Sequence, residues 1–111
     1  MIAYVRHYLT GEGIKYFQNT WFPRLSTVIK QQLGFISLTY TMNPLENDRI
    51  DIVLIFKDEA TFNAWCELPI HDEFVVALDA YRSRDYWEAA LTDNECDSKE
   101  LEWMRIVPEP I

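Results

Sequence analysis

Residues 35–57 read FISLTYTMNPLENDRIDIVLIFK, and the fold turns on how this run is parsed. Its first eight residues alternate. Ile36, Leu38, Tyr40 and Met42 fall on one side; Phe35, Ser37, Thr39 and Thr41 fall on the other. A side-chain period of two belongs to a strand, because successive Cβ atoms point to opposite faces. Asn43-Pro44 opens a turn, and Glu46-Asn47-Asp48 completes a polar loop. Residues 50–57 form the most hydrophobic strand, with Ile50, Ile52, Leu54 and Phe56 on one flank and Asp51, Val53, Ile55 and Lys57 on the other. Two such runs across a short polar loop predict a β-hairpin.

Upstream, the period changes. Ile14, Phe17, Trp21, Leu25, Val28 and Ile29 form one helical stripe within residues 14–33, with Phe22 beside it. Pro23 should kink or divide this helix, and Gly34 should stop it. Residues 2–9, IAYVRHYL, alternate as a first strand, with Tyr4, Arg6 and Tyr8 on one face and Val5, His7 and Leu9 on the other. Thr10-Gly-Glu-Gly13 reads as the turn that ends it. Downstream, Asp58 is placed to cap a helix that starts at Glu59 and carries Phe62 and Trp65. Pro69 interrupts the run. Helical spacing resumes with Ile70, Phe74, Ala77, Leu78 and Tyr81, and a further helical piece is expected over 83–91. Residues 92–100 read as a polar loop and 101–107 as a last strand, stopped by Pro108 and Pro110.

The order β-α-β-β-α-β is that of a ferredoxin-like α+β domain: an antiparallel sheet with helices on one face. The hairpin strands are apolar on both flanks, so the second sheet face needs its own cover. A second copy of the same sheet is the simplest one, and a homodimer packed through its sheet faces, a dimeric α+β barrel, is expected.

Composition narrows the class. The 111 residues suit a single domain over 1–111, and 49% hydrophobic with 14% aromatic content can fill a core. A net charge of −8 repels phosphate backbones and anionic bilayers, so neither nucleic acid nor a membrane is an expected partner. Cys66 and Cys96 lie in no metal-ligand or disulfide spacing; reduced thiols in a cytoplasmic protein, with no metal, are the expectation. MIAYVRHYL has no basic segment ahead of an apolar one, so it does not read as a signal peptide.

LGFISL after the first helix and IFKDEATFNAW…H…F leading into the second, set in this element order, resemble the antibiotic biosynthesis monooxygenase superfamily of dimeric α+β barrels. The resemblance spans residues 2–107. It implies a pocket between sheet and helices. In one branch that pocket turns aromatic phenols into quinones with dioxygen and no cofactor. In another it binds and degrades haem; further members only bind metabolites.

The haem branch places an Asn on the first strand, a Trp on the second helical segment and a His ten positions later. Here those positions hold Val5, Trp65 and Val75, with the nearest His one turn earlier at His71. The quinone-forming branch places an Asn one turn before the Trp and a Tyr six positions after it. Here they are Thr61 and His71. On this resemblance Trp65 stacks on a planar ligand, Thr61 hydrogen-bonds it, and His71 removes the phenolic proton, with His7 as second choice. An imidazole with an ordinary pKa of about 6.5 suits that task.

The expected ligand is a small planar aromatic or quinone-like metabolite, no cofactor is expected, and Val5, His7, Phe22, Phe62 and Tyr81 are the candidate lining. A binding module without catalysis is the alternative, and haem held by His71 or His7 a further one. Each residue also has a plainer use. Trp65 suits a core, His71 a solvated helix start, His7 a half-buried strand position, and Asp51 a pairing with Arg6 or Arg105. The excess aromatics (Tyr4, Tyr8, Phe17, Trp21, Phe22, Tyr81, Tyr86 and Trp87) suit a pocket for flat ligands or plain packing, and Arg82 and Arg84 the steering of an anionic ligand or a solvated face.

Overall fold

The computed structural model describes residues 1–91. The expected loop at 92–100 and strand at 101–107 lie outside the described residues, as do Cys96 and Arg105. Strands β1 (Ile2–Leu9), β2 (Phe35–Met42), β3 (Arg49–Phe56) and β4 (Arg82–Leu91) form one antiparallel sheet in the order β2-β3-β1-β4. Helical segments fall between β1 and β2 and between β3 and β4, which gives the ferredoxin-like α+β arrangement expected from the hydrophobic periods.

The hairpin register follows the pattern read from residues 35–57. Leu38 faces Leu54, Tyr40 faces Ile52 and Met42 faces Ile50. A bulge between Phe35 and Ser37 turns Ile36 out to solvent, 59% exposed, so Phe35 takes the inner position at the start of β2. Leu9, Ile50, Ile52, Leu54 and Phe56 pack with Phe17, Trp21, Leu25 and Ile29 in the main core.

The first helix begins earlier than expected. Thr10 caps α1 (Gly11–Tyr16), its Oγ1 accepting from Gly13 N–H at 3.2 Å. The two glycines therefore lie inside a helix rather than in a turn. Gly13 is there for close approach, because a Cβ would come within 2.6 Å of Tyr81 Cβ. One π-helical turn, Phe17–Trp21, follows and leads into α2 (Phe22–Ile29). Phe22 N–H reaches back to the Phe17 carbonyl, five residues away. That wider turn takes up the missing N–H and the bulk of Pro23 directly after it, without breaking the helix. Gly34 then takes φ +84°, a left-handed conformation that ends the helical segment.

Asp58 caps α3 (Glu59–Cys66), accepting from Thr61 N–H at 2.9 Å. Pro69 opens α4 (Pro69–Asp79), where its fixed φ and absent N–H cost nothing.

Residues 83–91 correct the sequence reading. They are not a helical piece but most of β4, paired along β1 through Tyr4↔Ala89, Val5↔Glu88 and Arg6↔Trp87. The spacing of Tyr86, Trp87 and Leu91 suits either element. The edge of β1 decides, because its N–H and C=O groups gain partners when this segment extends along it.

On the sheet face opposite the main core, Arg6 Nε donates to Asp51 Oδ1 at 2.9 Å and Arg49 Nε to Asp51 Oδ2 at 3.0 Å. This is the Asp51 pairing expected from the sequence. Beside it Tyr4 and Leu91 pack with Ile2, Val53 and Trp87. No helix among the described residues is long and apolar enough to cross a membrane.

Candidate functional site

A cavity of about 230 Å³ lies between the sheet and the helices. Its floor comes from the inward positions of the strands: Val5 and His7 of β1, Leu38 of β2, and Ile52 and Leu54 of β3. Trp21 and Leu25 close one side, and Trp65, Phe74 and Val75 another. Polar groups gather at two places on this apolar wall: His7 on the floor, and His71, Asp72 and Glu88 toward the opening.

Among the residues singled out from the sequence, Val5, His7, Trp65 and His71 border one space. The other four lie elsewhere. Thr61 Oγ1 donates within its own helix cap, to the Asp58 carbonyl at 3.1 Å and carboxylate at 2.9 Å, so its hydroxyl is committed before any ligand arrives. Phe22 packs edge-on against Tyr40 at 4.6 Å, and Phe62 against Phe56 at 5.9 Å. Tyr81 stacks on Tyr16 at 5.0 Å. Trp21 and Tyr86 stood out in the sequence only within the general excess of aromatics, and Glu88 and Asp72 did not stand out as lining. Trp21 shares the helical stripe with core residues. Tyr86 and Glu88 became readable only once 82–91 was a strand, whose alternate residues face the cavity.

The two histidines have opposite environments. His7 is 4% exposed. Arg82 Nη1 lies 2.9 Å from its Nδ1. A guanidinium only donates, so Nδ1 accepts and the ring proton sits on Nε2. Burial, with the Arg82 charge added, pushes the His7 pKa down to about 3. It is neutral at pH 7 with no free basic nitrogen, and the second-choice role of proton acceptor does not suit it. His71 lies at the start of α4 with its Nδ1 3.3 Å from Asp72 Oδ1, a long contact in which the carboxylate accepts. That places the His71 lone pair on Nε2. The His71 ring stands edge-on to the Trp65 indole, 5.6 Å between centroids at 89°.

Trp65 is 3% exposed, and its indole N–H has no protein partner among the described residues. Trp21, by contrast, spends its N–H on the Phe74 carbonyl at 2.8 Å. Cys66, next to Trp65, is half-buried, and burial together with nearby Glu88 and other carboxylates pushes its thiol up to about 11, which leaves it inert as a nucleophile. No group of three or more potential metal ligands occurs among the described residues.

These features place the chain in a class of fold: a ferredoxin-like sheet that backs an apolar cavity roofed by helices. Solved structures of the same fold include several described as antibiotic biosynthesis monooxygenases. A putative member from Nitrosomonas europaea superposes with a TM-score of 0.72 at 8% identity, over 82% of this chain and 86% of that one. SnoaB, a cofactor-independent oxygenase from Streptomyces nogalater, gives 0.65 at 16% identity, over 83% and 93%. A putative member from Deinococcus radiodurans gives 0.71 at 11%, over 79% and 86%. No family model and no curated protein sequence matches the chain.

Proposed function

We propose that this protein is a member of the antibiotic biosynthesis monooxygenase superfamily that oxidises a small phenol with dioxygen and no cofactor. The observation that carries the reading is the pairing of a basic histidine with an apolar cavity. His71 and Trp65 border a space whose remaining walls are mostly aliphatic and aromatic, with His7, Asp72 and Glu88 the other polar groups. An engineered cavity of about 150 Å³ takes one benzene. The 230 Å³ here suits one or two fused rings and is far too small for a porphyrin.

In this reading the phenol lies along Trp65 and gives its proton to His71 Nε2, with Asp72 holding the ring and stabilising the imidazolium. The phenolate is the reductant. It passes electrons to dioxygen, one oxygen atom enters the ring at the para carbon, and the other leaves as water with the two displaced hydrogens. Phenol plus dioxygen gives quinone plus water, which balances without an external electron donor. The apolar wall keeps bulk water from the reduced oxygen species.

The fold shared with SnoaB, a cofactor-independent oxygenase, supports the reading. The test is oxygen uptake by purified protein on hydroxybenzenes and hydroxynaphthalenes, with His71→Ala alongside. General-base removal should cut the rate roughly 10²–10⁴-fold. Undiminished turnover in His71→Ala removes His71 from the mechanism. A bound phenol that is never consumed favours the binding-module alternative.

The assembly belongs to the same proposal. On the second sheet face Tyr4 and Leu91 are already buried within one chain, and the homodimer, packed sheet to sheet, would cover the partly exposed Ile2, Val53 and Trp87 around them. Light scattering should then give twice the 13.2 kDa chain mass.

A further inference from the structure

We infer that Arg82 locks His7 as a permanent hydrogen-bond donor toward the cavity, so that the cavity selects aromatic ligands bearing an acceptor oxygen, a carbonyl or a phenolate, at the His7 end. The inference rests on the reading of this cavity as a ligand site. It adds a second polar contact, distinct from the base, and a positioning residue behind it.

Arg82 has few ways to move. Its Nε donates to Asp79 Oδ1 at 2.8 Å and its Nη2 to the Val75 carbonyl at 3.3 Å, both on α4. Its guanidinium carbon lies 4.7 Å from the centre of the Tyr86 ring. The remaining Nη1 reaches His7 Nδ1 at 2.9 Å. The guanidinium thus bridges α4, β4 and β1 and presents a donor at one fixed point.

A donor at Nδ1 settles the tautomer, since neutral imidazole carries one proton and must place it on the other nitrogen. The described residues offer Nε2–H no partner, yet Nε2 is not among the fully enclosed polar atoms. Nδ1 is turned to Arg82, and the void that the ring borders is the cavity. Trp21 at 5.9 Å and Tyr86 at 5.9 Å flank the ring with aromatic surface, and no hydrogen bond joins either to His7. An N–H that opens on the cavity takes an acceptor oxygen of the ligand as its partner, whereas a ring without one leaves that donor unpaired once water is displaced. The other titratable groups bordering the cavity are Tyr86 and Glu88 of β4 and His71 with Asp72 of α4. His7 gives a hydrogen bond where His71 takes a proton, so the two ends of a bound ring are told apart.

Two measurements test this, and neither needs turnover. The first is the long-range ¹H–¹⁵N spectrum of the wild-type imidazoles without ligand. His7 should show the Nε2–H tautomer and remain neutral from pH 8 to pH 5. In Arg82→Met the tautomers should mix and the titration should move up toward the ordinary value near 6.5. A wild-type His7 that carries its proton on Nδ1, or that titrates near neutral pH, overturns the inference.

The second is anaerobic binding of 1,4-naphthoquinone against naphthalene, equal in ring size and different in acceptors. Wild type should prefer the quinone by about tenfold to a hundredfold. His7→Leu should lose that preference, and His7→Gln, which keeps an N–H, should restore part of it. Equal affinities, or binding of neither compound, overturn the inference. Selective quinone binding with no oxygen uptake on any phenol supports it and removes the oxygenase reading. Oxygen uptake with an indifferent His7→Leu does the reverse.

Discussion

Replacing Trp21 by Phe separates the strut holding the cavity open from the cavity itself. Trp21 is 5% exposed, stacks on Phe17 at 5.1 Å and ties the first helical segment to α4 through its bond to the Phe74 carbonyl. The substitution removes that bond. The Phe74 carbonyl lies inside α4 and keeps its helical partner four residues on, so the loss is one neutral hydrogen bond, roughly 1 kcal/mol, without an orphaned acceptor. Shrinking indole to phenyl opens on the order of 40 Å³, which at about 24 cal/mol per Å³ adds roughly 1 kcal/mol. The total, about 2 kcal/mol, lowers Tm by roughly 8–16 °C in a domain of this size. Urea and thermal unfolding of both proteins measure it. Because Trp21 walls the cavity, Trp21→Phe should also admit bulkier rings. A loss under about 0.5 kcal/mol, the range of an ordinary surface change, would refute the strut.

Other outcomes follow from the same contacts. Gly34→Ala forces a side chain into φ +84° and against Thr61 Oγ1, and should destabilise by about 2–4 kcal/mol, of which Thr61→Ala in the same chain recovers only the contact part. Thr61→Ala alone should cost about 1 kcal/mol of stability and leave ligand affinity unchanged, because its hydroxyl serves the α3 cap. Asp51→Asn removes the charge shared by Arg6 and Arg49 and should cost about 3–5 kcal/mol by denaturant unfolding. The pH dependence carries a sign. The folded His7 pKa, about 3, lies below the unfolded value of 6.5, so the unfolded chain binds the extra proton. Stability from this group is complete above pH 6.5 and is lost as pH falls toward 3. Between pH 7 and 5 that is about 2 kcal/mol, which urea melts of wild type should show and His7→Gln should lack.

Much of this architecture was legible in the residues. The alternation in FISLTYTM and IDIVLIFK fixed the hairpin, and Asp58 and Pro69 marked the helix starts, because caps and periods are local signals. Residues 82–91 were not legible. Arg82, Arg84, Tyr86 and Trp87 carry no strong period, and only the open edge of β1 makes them a strand. That one misreading hid Glu88 from the site and set Arg82 and Tyr86 on a helix instead of on the strand beside His7. Thr10–Gly13 failed for a different reason: the glycines answer to the bulk of Tyr81, which sits 68 positions away from Gly13 along the chain. The site was half visible. A motif position identified Trp65 and His71, but the tautomer of His7 depends on a guanidinium 75 residues distant.

The central claim is that His71 takes a phenolic proton inside this cavity, and it is open to direct observation without oxygen. Under argon at pH 7, 1-naphthol titrated into the protein should develop the ground-state absorbance of the naphtholate anion as it binds. His71→Ala should bind the neutral phenol and show no anion band. Bound naphthol that stays protonated in the wild type, or an anion band that survives in His71→Ala, would contradict the account.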